Sequence, residues 1–146
     1  MRTLISMISV AALVGVVAGS TDAAATPSCT FDGVWTASNP GGATTFTTKV
    51  VAATQTITVD RTGGGLPNAH IAGTFTYDAA SGRVTVTNKS VSTQDAAFFA
   101  CLNVPGTYTV TFTDCTHMTL ALVSDQCVPR TMSAAHSLFT KQPSSP

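Results

Sequence analysis

Thr107-Tyr108-Thr109-Val110-Thr111-Phe112-Thr113 sets a hydroxyl and an apolar or aromatic side chain in strict alternation. Successive side chains of an extended chain point to opposite faces, so Tyr108, Val110 and Phe112 share one face and the threonines the other. This is a strand with one dry side and one wet side. Asp114-Cys115-Thr116 then reads as a turn, and Met118, Leu120 and Leu122 carry the same period into a seventh strand. Upstream, 83–91 alternates Val84 and Val86 against Thr85 and Thr87, and earlier strands read over 69–77, 55–61, 44–52 and 31–37. Asp78-Ala79-Ala80-Ser81-Gly82, Gly63-Gly64-Gly65 and Asn39-Pro40-Gly41-Gly42 punctuate them. Downstream, 132–140 reads as an eighth strand with Met132, Ala134, His136 and Leu138 on one face. Only 92–102 breaks the alternation, and Phe98-Phe99 within it reads as a lid or plug on the core.

Eight strands in simple succession predict an all-β, antiparallel up-and-down eight-stranded β-barrel, because closure removes exposed sheet edges. Such a barrel has room for packed side chains or for one small ligand. The composition agrees. Glutamate, a common helix residue, is absent from the 146 residues, and threonine, suited to a pleated half-wet surface, recurs throughout. Seven basic and seven acidic residues balance, which leaves no basic stripe for nucleic acid. An immunoglobulin-like sandwich would set tryptophan between two bridged cysteines, whereas Trp35 follows only Cys29.

The start of the chain reads as a signal peptide over 1–25. Arg2 precedes an apolar run over 4–18, and Ala23-Ala24-Ala25 offers a small-residue cleavage site. The run falls short of the roughly 20 residues that span a bilayer. The barrel domain is then expected over 26–141, with a polar, disordered tail at 142–146. The mature protein is expected to be secreted or extracytoplasmic, monomeric and free of the membrane. Four cysteines in an exported chain imply two disulfides, and without a Cys-x-x-Cys pair a zinc site is not expected. Cys101 precedes one strand of the last clear hairpin and Cys127 follows the other, so both lie at its open end. Cys115 lies at its turn, and Cys29 just before the first strand. This favours Cys101–Cys127 with Cys29–Cys115. Asn88-Lys89-Ser90 is the one glycosylation sequon.

Near the front stands Gly33-Val34-Trp35, and near the back Asp125-Gln126-Cys127-Val128-Pro129-Arg130. A glycine permits close backbone approach, an indole fills a barrel end, and a guanidinium can stack on the ring and donate to rim carbonyls. Gly33, Trp35 and Arg130 are therefore expected to close the barrel. In these motifs the chain resembles the lipocalin-like (calycin) small secreted barrels. Gly33-x-Trp35 matches the start of their first strand, and Arg130 matches the basic residue that packs over the tryptophan. The resemblance implies interior binding of a small apolar molecule.

Catalysis finds no constellation, so an enzyme is not expected. His70, His117 and His136 lie on three different strands, none at metal spacing. Asp114-Cys115-Thr116-His117 reads as a turn with a bridged cysteine, and no cofactor is called for. The leading expectation is a secreted barrel binding a small apolar ligand, lined by Phe46, Ile57, Phe75, Tyr77, Tyr108, Val110, Phe112, Leu120 and Leu122. One alternative is a solid-core surface or adhesion module acting through Gly63-Gly64-Gly65 and Phe98-Phe99. The other is haem binding through His136, should its face of the last strand point inward.

Overall fold

The structure, a computed structural model, describes residues 28–39, 41–65, 67–92 and 100–144. The signal peptide expected over 1–25 and the Phe98-Phe99 segment lie outside the described residues. The strands are β1 (Gly33–Ser38), β2 (Thr44–Val51), β3 (Thr56–Gly63), β4 (Ala69–Asp78), β5 (Arg83–Val91), β6 (Pro105–Asp114), β7 (His117–Asp125) and β8 (Leu138–Lys141). Each runs antiparallel to the next, and the sheet closes into a barrel where Trp35 lies opposite Lys141 and Thr36 opposite Thr140. The alternating threonines and apolar residues produce this directly. On β2, for example, Thr44, Phe46, Thr48 and Val50 are buried while their neighbours are not.

The lower end, where β1 begins and β8 finishes, is packed solid. Trp35 is fully buried and its ring lies 6.1 Å from that of Phe112. Phe31, just before β1, meets Phe75 edge-on at 5.5 Å and stacks on Tyr77 at 5.7 Å. Trp35 Nε1 donates to the Phe31 carbonyl at 2.9 Å, so the indole has the partner its burial demands. The Cys29–Cys115 disulfide ties the chain across this end, and Cys101–Cys127 ties the upper end, which is the pairing expected from the hairpin.

Two expectations are corrected. The last strand is only four residues long, and 128–134 is a short helix, α1 (Val128–Ala134). Pro129 sits in its first turn, where the missing N–H costs nothing and the fixed φ favours a helix. The strand face drawn through Met132, Ala134, His136 and Leu138 therefore does not exist. On β8 it is Phe139 that is buried, while Leu138 is exposed.

The second correction concerns closure. Arg130 does not reach Trp35. It donates to the Val104 carbonyl beside the start of β6, whereas Trp35 packs near that strand's far end, against Phe112. The intervening strand spans roughly 20 Å. The reason is topological: β8 runs antiparallel to β1, so its finish, and not its approach, lies beside the start of β1. The cation over the indole is accordingly Lys141, with Nζ 5.2 Å from the ring centroid. Gly33 accommodates it. Its φ is 128°, a left-handed value that side chains avoid, and a Cβ there would come within 2.7 Å of Lys141 Cε.

Candidate functional site

Above the aromatic floor the barrel is hollow. A cavity of about 90 Å³ is lined by Phe46, Ile57, Val59, Ile71, Val84, Val86 and Leu120 from the strand walls, with Phe139, Met118 and Phe31 completing the apolar surface. α1 covers it through Ser133 and Ala134, with Arg130 on the same helix face. These three stand at helical spacing i, i+3, i+4, so one face of a seven-residue helix forms part of the roof.

Of the nine side chains expected to line a ligand site, Phe46, Ile57, Tyr108 and Leu120 do so. Phe75 and Val110 are buried in the solid part of the core, and Tyr77 and Phe112 pack against it from the lower end. Leu122 is 46% exposed and borders solvent instead. All nine have the expected strand parity. What parity does not give is height along the barrel axis, and the lower half is filled.

The cavity's polar side was not anticipated. Asp125, whose side chain has no exposed surface, receives Arg130 Nε at 2.6 Å on one oxygen and Arg130 Nη2 at 2.8 Å on the other. Tyr108 donates its hydroxyl to the same carboxylate, and the Cys127 N–H donates at 2.7 Å. Arg130 Nη1 donates to Asn88 Oδ1 at 3.1 Å and Nη2 to the Val104 carbonyl at 2.9 Å. Gly106 makes room: a Cβ there would run into the Asp125 carboxylate and the Arg130 guanidinium.

Burial works upward on the Asp125 carboxyl, but the donors from Arg130, Tyr108 and Cys127 outweigh it and hold the group below the ordinary 3.8. Burial, then the Asp125 carboxylate, drives the Tyr108 phenol well above its ordinary value. Burial works against the Arg130 charge, yet Asp125 raises its pKa. The result is an ion pair held charged and a phenol held neutral.

Asn88 falls inside this network. It is 4% exposed, shares inward parity with Val84 and Val86, and lines the cavity beside Arg130. The sequon reading places it on the surface, but its period-two spacing from Val86 points inward. The folded barrel thus hides the sequon asparagine.

The histidines stand apart. His70 Nδ1 lies 2.7 Å from Asp60 and His117 Nδ1 3.0 Å from Asp114, both pairs exposed. His136 is exposed in the turn after α1 and does not border the cavity, so the inward face required for haem ligation is missing. Among the described residues no three His, Cys, Asp or Glu side chains gather as a metal site. Comparison of the chain with protein-family models, curated proteins and solved structures finds no match.

Proposed function

We propose that this protein is a secreted, lipocalin-like carrier that binds a small apolar molecule in the upper half of its barrel, without catalysis. The observation that carries the reading is the cavity itself, walled by aliphatic and aromatic side chains above a solid floor. Apolar space left empty in a close-packed interior forfeits dispersion contacts that a ligand restores. At about 90 Å³ the cavity is smaller than an apolar cavity of about 150 Å³ that accepts benzene. The enclosed part of the space suits a small, compact molecule. The two disulfides suit an oxidising compartment, in keeping with export. The Gly33-x-Trp35 start and a cation over the indole support the calycin-like reading.

Benzene titration followed by methyl resonances tests it. Ile57, Val84 and Leu120 methyls are expected to shift saturably, and Val86→Phe, which fills the space, is expected to abolish the shifts while the barrel stays folded. Shifts that persist in Val86→Phe, or none in the wild type, would count against interior binding. A second reading, a contact module, is favoured by the exposed apolar side chains Leu122, Val123, Val128 and Met132 on β7 and α1.

A further inference from the structure

We infer that the ligand carries a neutral hydrogen-bond acceptor, a carbonyl or an ether-like oxygen, which is held against Asn88 and Arg130 at one side of the cavity; this rests on the interior-binding reading above. Asn88 is more than nine-tenths buried and borders the cavity. A guanidinium only donates, so the atom facing Arg130 Nη1 at 3.1 Å must be the amide oxygen. The Nδ2 group is thereby left as the free end of the side chain. It has no hydrogen-bond partner among the described residues. Asn88 as a residue is largely buried, and an amide N–H in such a side chain is best satisfied by an acceptor within its reach. Asn88 lines the cavity, so an acceptor lodged there lies within the side chain's reach.

Arg130 adds to the same spot. Nε and Nη2 are committed to Asp125 and Val104, and Nη1 uses one hydrogen on Asn88. Nη1 carries a second hydrogen. Asn88 and Arg130, adjacent donor side chains, both line this one cavity, while the rest of its wall is largely hydrocarbon.

Charge decides what they select. The Asp125 carboxylate is paired with both edges of the Arg130 guanidinium, so the site's own charges cancel. An incoming carboxylate would be desolvated without an unpaired cation among the lining residues and would lie near Asp125. A neutral acceptor meets neither penalty. Arg61, also buried at the upper end, directs Nη2 to the Pro67 carbonyl at 2.8 Å and does not border the cavity.

Three probes of one shape separate the possibilities: butanone, the alkene in which methylene replaces its oxygen, and propionate. Their binding is followed through the Ile57, Val84 and Leu120 methyls and the Asn88 side-chain amide protons. Butanone is expected to move both sets, and the alkene the methyls alone. Propionate is expected to bind more weakly than butanone. In Asn88→Ala the ratio of butanone to alkene affinity is expected to fall about tenfold, the effect of one lost buried hydrogen bond. Methyl shifts with equal effects of butanone and alkene on Asn88 would overturn the acceptor while leaving interior binding intact. Propionate binding more tightly than butanone would overturn its neutrality. Should no probe move any methyl, the failure is that of interior binding itself. The wild-type measurements stand whether or not the variant folds.

Discussion

Asp125 shows how one side chain can hold a roof in place. Its carboxylate is out of water and accepts from a phenol, a guanidinium and a backbone amide. Removing one partner of a buried pair strands the other, so Asp125→Ala is expected to destabilise the fold by about 3–5 kcal/mol in urea titration. Arg130→Met on the same background removes the stranded charge and is expected to recover part of that loss. No recovery would mean that the pair is not the source of the effect. Asp114, exposed in the β6–β7 turn, makes the acid side of stability legible. The Thr116 hydroxyl and amide, and His117, draw its carboxyl down to about 2 from an ordinary 3.8. A carboxylate with a lowered folded pKa stabilises above the unfolded value, and that contribution is lost as pH falls through the folded one. Asp125, also lowered, acts with the same sign. The melting temperature is thus expected to drop between pH 3.8 and about 2, and to drop less steeply in Asp114→Asn. Identical acid limbs in the two proteins would exclude Asp114 as a contributor.

At the scale of elements, β1 and β8 lock the lower end through Trp35 and Lys141. Trp35→Ala empties a fully buried site and is expected to cost about 3–5 kcal/mol. Lys141→Ala removes a partly exposed cation over the ring and is expected to cost only about 0.5–1 kcal/mol. Because Trp35 is the sole tryptophan, its emission reports on that ring directly. It is expected to shift in Lys141→Ala and to stay put in Arg130→Lys, and the reverse pattern would restore Arg130 as the closing residue. The strands themselves were legible because threonine–apolar alternation has no helical counterpart, and β5 has the bounds expected of it, Arg83–Val91. The α1 segment was not, because 130–138 satisfies two periods at once. Met132, Ala134, His136 and Leu138 fit a strand, while Arg130, Ser133, Ala134 and Ser137 fit a helix, and Pro129 at its start is the residue that breaks the tie. The cavity was half legible for a related reason. Alternation says which way Phe46 and Phe112 point but not that one borders a hollow and the other a solid floor.

On the scale of the whole molecule, the two disulfides hold ends with different tasks. Cys29–Cys115 closes a separation of 86 residues beneath the aromatic floor, and Cys101–Cys127 one of 26 beside the roof. Chain entropy scales with the logarithm of loop length, giving about 4.6 and about 3.5 kcal/mol of stabilisation respectively. The longer bridge should therefore matter more for stability. Ligand retention should follow the other order. Cys127 immediately precedes α1 and donates its N–H to Asp125, so its bridge to Cys101 anchors the helix that covers the cavity. Replacing both Cys29 and Cys115 with Ser is expected to lower stability by about 1 kcal/mol more than replacing both Cys101 and Cys127. Among the variants that remain folded, benzene affinity is expected to fall only in the Cys101/Cys127 pair. Urea titration and methyl-resonance titration on the same two proteins read both orders. Equal losses of affinity would show that the roof is held by the barrel as a whole, and a loss confined to the Cys29/Cys115 variant would place the binding space at the floor.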